Sequence, residues 1–554
     1  MVLWLKKRWK DIVFSILITC ILLLPYLTKD LLAIEHDTFF HVSRIEQLSI
    51  SIKHGIFFPT IYPYENNGYG YTSPLFYSDI FLIIPALLHI VGFPLTFCYK
   101  FIVFISSFLS SITMITLVSK ISKKRLISWI AGCAYLFSNY RITDIYVRGA
   151  LGEVLAFSFL PLLLLGLYEI IEENKNTCIS LTFAITCLAL SHNLTFLLAC
   201  ALCAIICIIS IPRLNKQKYK NIFLSVLFSF LITSFFTLPM LEQLRSQDFI
   251  VDYYATSSDL ASGSMDLWQY FVNQTVFGYS GNNYDPSMTM TVNVGWFLTF
   301  SPILYLFNKD KNRFVMTCLI IGYICLLLPS SLIPWDIIPF KVIQFPWRFN
   351  TLSMLLLTLP ASMGISSIFK KRIFKLLCII LLSVECLYHV LPAYSRTFGL
   401  TSEMTWSDVL GGELTDPYYS AYYVRVELAG GDYLPINSPD FRNRSTAIKD
   451  SSNNDTDIQY TKDYNTLTFI SNADDELVMP LTWYKGYEVY EIIDSEEVHI
   501  ESYANSDCML TFKTKSNTQY IVRYQSTPLR KVCLVISLLS FIIFMMYTYK
   551  KKNH

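Results

Sequence analysis

The sequence predicts a polytopic α-helical membrane protein with about twelve membrane helices and a C-terminal β-rich extracytoplasmic domain. Three observations carry the membrane part and the β-rich part. Of 554 residues, 53% are hydrophobic and only 16% charged, with a mean hydropathy of +0.42, a balance that soluble globular chains do not show. Apolar windows of roughly 17 to 25 residues, the length of a bilayer-spanning helix, recur along the chain. Near the end, short alternating runs separated by Asn, Asp, Ser and Gly replace those windows.

The windows fall near 11–28, 96–119, 126–140, 154–171, 177–191, 194–211, 221–241, 291–307, 314–332, 350–369, 373–392 and 529–549. Lys and Arg concentrate at Lys6 to Lys10, Lys120 to Arg125, Arg213 to Lys220, Lys309 to Arg313, Lys370 to Lys375 and Lys550 to Lys552. By the positive-inside rule these groups face the cytoplasm, and an even number of crossings then puts both termini inside. The first window follows a basic start but no small-residue cleavage site follows it, so a retained first span in the plasma membrane is expected. A net charge of +2 points to no partner, and no nucleic acid is expected. Of the 14 cysteines, all but Cys508 lie in or beside apolar segments and read as small buried hydrophobes.

Leu75 to Gly92 is apolar enough to cross, yet a crossing there would invert every later basic loop. Pro74, Pro85, Pro94 and His89 suit a helix lying in the outer interface or re-entering partway. The first outer loop therefore runs from about 29 to 95, within a multi-span domain of residues 1–392. Further outer segments are Tyr140 to Glu153, about 242–290, Ile333 to Arg348 and a block at 393–528. In that block Thr466 to Ile470, Tyr487 to Ile492, Glu497 to Tyr503, Cys508 to Lys513 and Gln519 to Tyr524 read as strands of a small sandwich. Residues 529–554 form a final span and a basic tail.

His36-Asp37-Thr38-Phe39-Phe40-His41-Val42-Ser43-Arg44 follows the first span and places ionisable groups where water meets lipid. Drawn as a helix, Asp37, His41 and Arg44 share one stripe at i, i+4 and i+7. The same spacing fits an ion pair anchoring an amphipathic surface helix whose apolar edge is Val42, Ile45, Leu48 and Ile52.

The stretch from His36 to Glu46, then Tyr69-Gly70-Tyr71-Thr72-Ser73-Pro74-Leu75-Phe76-Tyr77, Tyr140-Arg141 and Arg148-Gly149-Ala150-Leu151-Gly152-Glu153 resemble one bacterial family, the 6-pyruvoyl-tetrahydropterin-synthase-related integral membrane proteins. Leu190-Ser191-His192-Asn193-Leu194, Gln344-Phe345-Pro346-Trp347-Arg348-Phe349 and Trp483-Tyr484-Lys485-Gly486-Tyr487 extend the similarity along nearly the whole chain. It also resembles the YfhO-type proteins. Both look like GT-C glycosyltransferases, and that resemblance implies a polyprenyl-phosphate sugar donor, with a first-loop acid as base or metal ligand. Asp37 takes that position, although His36 stands where some of those enzymes carry a second acid, which leaves a divalent metal ion open. Pterin chemistry is not expected, because pterin synthases use three histidines for zinc and the β-rich block offers only His499.

The chemistry that sugar transfer needs is a base beside the attacking hydroxyl and positive charge beside the phosphate leaving group. Asp37 is the candidate base. Arg44, Arg148 and Arg348 are candidates for the phosphate, since a guanidinium fork matches its oxygens. His36 and His41 flank the acid. For Arg141, Asp144, Arg148 and Glu153 two readings stand: residues lining the cavity, or a network in which the acids neutralise the arginines. His192 either faces the site or caps a tight turn with Asn193. Tyr69 and Tyr71, set among Gly68 and Gly70, suit either an aromatic loop that stacks on a sugar ring or interfacial anchors. The expected acceptor is a cell-envelope glycan or glycolipid. The other class in play is a flippase or transporter, against which stands the collection of charge at helix ends rather than at mid-membrane. A third is a non-catalytic envelope-assembly protein.

Overall fold

In the computed structural model the described residues are 2–33, 35–252, 260–272, 274–278, 289–397, 399–404, 431–439 and 444–553; parts of the expected outer segments 242–290 and 393–528 lie outside them. Each apolar window carries helix. Six described helical stretches are long and apolar enough to cross a membrane: Leu95–Ser122, Leu151–Ile171, Lys216–Leu244, Pro346–Ile368, Arg372–Ser395 and Pro528–Lys551. Other windows hold shorter helices, such as Arg125–Leu136 and Ile179–Ala189. The described helices are thus uneven in length. Ile80–Ile90 is also short; at about 1.5 Å per residue it reaches only about 16 Å, half of a hydrocarbon core.

Contacts gather the basic segments at one end of the bundle. Lys120 pairs with Glu173 at 3.0 Å, Arg125 Nε lies 3.4 Å from Asp11, and Lys218 Nζ donates to the Ile171 carbonyl at 2.7 Å. The last helix, Pro528–Asn553, runs antiparallel to Lys216–Leu244, with Phe544 against Phe228 and Ser537 bonded at the level of Ser234 and Phe235. Its basic tail therefore returns to the same end as the N-terminus. The ends that carry Asp37, Arg148, His192 and Arg348 lie opposite.

The first loop contains the helix Thr38–Lys53. Phe39, Val42, Ile45 and Leu48 are all buried in the main core, and its polar flank is covered as well. It is an interior helix and not the amphipathic surface helix that its spacing also allowed.

Two short strands, β1 Leu32–Ala33 and β2 Gly399–Leu400, pair antiparallel with each other, and the C-terminal domain that follows is a β-sandwich. One antiparallel sheet has the order β3-β4-β10-β6-β7, with β3 Tyr460–Asp463, β4 Thr466–Ser471, β6 Tyr487–Ile493, β7 Glu496–Ile500 and β10 Thr518–Tyr524. The other has the order β5-β9-β8, with β5 Glu476–Thr482, β8 Tyr503–Ala504 and β9 Met509–Lys513. Leu467, Phe469, Val489 and Val522 from the first sheet meet Leu477, Met479 and Phe512 from the second. Alternation along β4, β6 and β10 made them legible in the sequence. β5 escaped because six successive residues are buried after its first, which removes the period of two.

The sandwich rests on the first loop. Lys462 Nζ donates to the carbonyls of Pro63 and Gly68 at 2.8 and 2.5 Å, Tyr464 Oη bonds Ser51 Oγ at 2.7 Å, and Thr482 N donates to the Tyr69 carbonyl at 2.9 Å. A strap at 431–439 runs beside 248–252, where Val251 N donates to Asp432 O at 2.8 Å and Ile250 N to Leu434 O at 3.0 Å.

Candidate active site

Asp37 stands at the N-cap of the Thr38–Lys53 helix, with no side-chain capping bond. Its amide donates to the Arg148 carbonyl at 2.8 Å, which ties the first loop to the turn before Leu151. Gly149 makes that approach possible. Its φ is +60°, and a Cβ there would stand 2.8 Å from Thr38 N and 3.0 Å from Thr38 Cα. A Cβ at Gly152 would meet the Tyr77 ring, 2.5 Å from Cζ. The two glycines of the Arg148-Gly149-Ala150-Leu151-Gly152-Glu153 motif are therefore packing requirements. Gly149→Ala is expected to push the Asp37 turn off Arg148 and to cost more than about 1 kcal/mol through the left-handed backbone alone; thermal unfolding of the purified variant measures this.

Arg148 is held on both sides. It pairs with Asp144 and, at 2.7 Å, with Glu153, and its guanidinium stacks 4.5 Å from the centre of the Trp347 ring. Glu153 is saturated, accepting also from Tyr140 Oη and Thr351 Oγ1, each at 2.7 Å. Glu153 and Asp144 thus orient Arg148, whereas Arg141, the other arginine of the expected network, forms no ion pair with either acid among the described residues. Arg348 donates from Nη1 to the Ile343 carbonyl at 3.1 Å and to Gln344 Oε1 at 2.7 Å. Its Nε is buried with no partner among the described residues.

Asp37 feels the charges of Arg148, Arg348 and Glu153. Its carboxylate is half-buried and forms no hydrogen bond or ion pair among the described residues. Burial raises its pKa above the ordinary carboxylate value, against the opposing pull of the two arginines. His36 adjoins this cluster; burial and then Arg148 lower its pKa to about 4, so its ring is neutral at pH 7. His192 stands at the N-cap of the next helix. Its Nδ1 accepts from Thr195 N at 3.3 Å and caps the helix Asn193–Ile209, while its ring lies 6.0 Å from Tyr77 within the field of Glu153, Arg348 and Arg148. Burial lowers its pKa to about 4 as well.

Five expected contributors, Arg44, His41, Arg141, Tyr69 and Tyr71, stand elsewhere. Arg44 does not share a stripe with Asp37, because the helix begins after Asp37. Instead Arg44 Nε donates to Asp79 at 3.0 Å, Nη1 donates to His41 Nδ1 at 3.1 Å, and Nη2 donates to the carbonyls of Tyr77 and Ser78. Tyr62 Oη completes Asp79 at 2.7 Å. Arg44 and His41 are fully buried, and with its donors occupied Arg44 is a structural ion pair rather than a phosphate ligand. Arg141 is buried against Phe157, with Nη2 on Ser107 Oγ at 3.2 Å. Tyr69 and Tyr71 are sealed between loop and sandwich: Tyr69 Oη donates to the Ser445 carbonyl and Tyr71 Oη accepts from Tyr433 N at 3.1 Å. In this position they serve neither as a sugar-stacking loop nor as interfacial anchors, because the sandwich covers them.

One acidic residue was not anticipated. Asp432, on the strap, lies within the fields of Asp37 and Arg348. Nothing in its local sequence marks it, since only the chain path over almost four hundred residues brings it there. Among the described residues no group of three or more His, Cys, Asp or Glu side chains could hold a metal ion.

Residues 71–394 match the family described as 6-pyruvoyl-tetrahydropterin synthase related domain, membrane protein. The chain belongs to this family. The Tyr71 to Tyr77, Tyr140 to Glu153, His192 and Arg348 segments all fall within the match, whereas Asp37 and Asp432 lie outside it. An uncharacterized protein of Lactococcus lactis subsp. cremoris (strain MG1363) is 22% identical over 346 residues, and the match covers 60% of this chain and 55% of that protein. The chain therefore spans about half the length of the curated relative. Among solved structures, the mycobacterial arabinofuranosyltransferase AftD matches with a TM-score of 0.48 and 12% identity, over 74% of this chain and 28% of AftD.

Proposed function

We propose that this protein is an inverting membrane glycosyltransferase that moves a sugar from a polyprenyl-phosphate donor to a cell-envelope glycan or glycolipid on the outer face of the plasma membrane. The observation that carries the reading is a half-buried carboxylate, Asp37, without a bonded partner among the described residues, beside two arginines. A carboxylate so placed is free to take a proton, and a guanidinium with a buried, unpartnered Nε is suited to an anion. The acceptor hydroxyl gives its proton to Asp37 as its oxygen bonds the anomeric carbon. The bond from that carbon to the phosphate oxygen breaks, and Arg148 and Arg348 balance the charge left on the lipid phosphate. A single displacement of this kind inverts the sugar carbon.

The outer-face assignment rests on the collection of basic segments at the opposite end. A cysteine placed at exposed Ser495 is expected to react with an impermeant maleimide on intact cells, and one at Lys123 only after permeabilisation; the reverse pattern would overturn the orientation. The flippase reading has one observation in its favour, the Glu385 and His389 pair at 3.9 Å inside the helix Arg372–Val390, with His389 fully buried. Proteoliposomes loaded with labelled undecaprenyl-phosphate sugars separate the two: a glycosylated product supports transfer, and lipid movement without product supports translocation.

A further inference from the structure

The last helix opens with a buried arginine that meets no acid among the described residues. Arg530 stands in the first turn of Pro528–Asn553 and is only 8% exposed. Its Nη2 donates to the carbonyls of Phe58 and Pro59 at 2.7 and 3.4 Å, which fastens the first loop to the final span. Those bonds leave Nε buried without a partner, and no carboxylate among the described residues pairs with the guanidinium. A buried cation held only by neutral carbonyls keeps most of the cost of leaving water. Arg530 lines a pocket together with Phe57, Ser78, Asp79, Ile80 and Phe236. Asp79 is the only acid among the described lining residues, and both of its oxygens are taken: Oδ1 accepts from Arg44 Nε at 3.0 Å and Oδ2 from Tyr62 Oη at 2.7 Å. Arg44 and Asp79 cancel, so the described lining carries the one positive charge of Arg530. The pocket is bounded by two helices long and apolar enough to span a membrane, Lys216–Leu244 and Pro528–Lys551, near their ends on the β-sandwich side, where Thr527 Oγ1 donates to Glu242 at 2.5 Å. Phe57 and Phe58 beside it are 48% and 46% exposed, as aromatic side chains are where a protein meets lipid headgroups.

We propose that this pocket binds the phosphate of a membrane phospholipid in the leaflet on the β-sandwich side, with Arg530 as its anchor. The lipid is held there and not consumed, and the site is separate from the one around Asp37. Charge decides the class of ligand. A phosphodiester carries one negative charge, which matches the unbalanced guanidinium, and its oxygen accepts from Nε in the charge-assisted bond that this buried donor lacks. Ser78 Oγ, in the same lining, accepts from Ile80 N at 3.4 Å, and its own hydrogen can go to a second phosphate oxygen. Size decides how the lipid sits. The open space is about 30 Å³, room for roughly one or two oxygen atoms and not for a whole headgroup. The phosphate therefore presents its oxygens from the membrane surface, with its chains beside the exposed Phe57, Phe58 and Val532. A free phosphate shares the charge and lacks those apolar contacts. A lipid bound in this way bridges the first loop, the helix Lys216–Leu244 and the last helix, and by mass action favours the folded arrangement.

The test uses the full chain purified in dodecyl maltoside, a detergent without phosphate. Native mass spectrometry gives the dissociation constant of the first bound lipid, and heating gives the melting temperature. Added phosphatidylglycerol is expected to bind and to raise the melting temperature. Diacylglycerol with the same chains, and inorganic phosphate at the same concentration, are expected to do neither. Arg530→Gln is expected to weaken phosphatidylglycerol binding about tenfold or more, the loss of one hydrogen bond to a charged group, and to remove the thermal shift. That variant also gives up the bonds to Phe58 and Pro59, so Ile80→Trp supplies a second reading: it leaves Arg530 in place, fills the pocket, and should weaken binding as well. Diacylglycerol bound as tightly as phosphatidylglycerol would mean that only apolar surface is read, and inorganic phosphate raising the melting temperature as far would assign the pocket to a free anion. Either result overturns the proposal, as does undiminished phosphatidylglycerol binding in either variant. Sugar transfer enters none of these measurements, so their outcome stands apart from the glycosyltransferase reading.

Discussion

Asp37→Asn is expected to lower sugar transfer by about 10²- to 10⁴-fold, the range over which a positioned general base accelerates a reaction. The substitution keeps the shape of the side chain and removes only its basicity. The fold should survive it, because Asp37 holds its neighbours through its backbone: the amide bonds the Arg148 carbonyl, and the side chain makes no capping bond to the helix that follows. An unchanged melting temperature with a lost initial rate therefore separates chemistry from structure. The pH dependence has a definite sign. Only ionised Asp37 accepts a proton, and burial raises its pKa above the ordinary carboxylate value, so the acid limb of the rate profile should lie at higher pH than a free aspartate would give. Transfer that persists undiminished in both Asp37→Asn and Asp37→Ala would remove this residue from the mechanism.

Arg148→Ala is expected to be the most destabilising single change at the site, by about 3–5 kcal/mol, the cost of stripping one partner from a buried ion pair. The arginine lies between Asp144 and Glu153, and both carboxylates are almost wholly buried. Without Arg148 neither can stay ionised in that setting at low cost. Thermal unfolding in detergent would show the loss, and Arg148→Ala combined with Asp144→Asn and Glu153→Gln should recover part of it, since the unpaired charges go with the arginine. A variant as stable as the native chain would mean that these acids find other partners.

The legible part of the fold was the part written as a local period. Apolar windows marked the helices, and alternation marked β4, β6 and β10. β5 was not legible because both of its faces are covered. At the site, Asp37, Arg148, Glu153, His192 and Arg348 were each visible as charged or polar residues at the ends of apolar segments. The spacing of Arg44 from Asp37 suggests a shared stripe, but Asp37 lies outside the helix, and Asp79, thirty-five residues beyond Arg44, takes the arginine instead. Tyr69 and Tyr71 were misjudged for a related reason, since no local pattern says that a distant sandwich will cover them.

By itself the sequence determined the material of this protein: where apolar segments are long enough to lie in lipid, which ends carry positive charge, and where alternating runs make strands. Those features depend on neighbours within a few residues, where helical and strand periods fix which side chains share a face. Tertiary structure alone decided which charges meet. Arg148 rather than Arg44 stands beside Asp37, and Asp432 arrives from the far end of the chain, because electrostatic partnership depends on distance through space and on the water removed between groups, and neither quantity is written in sequence separation.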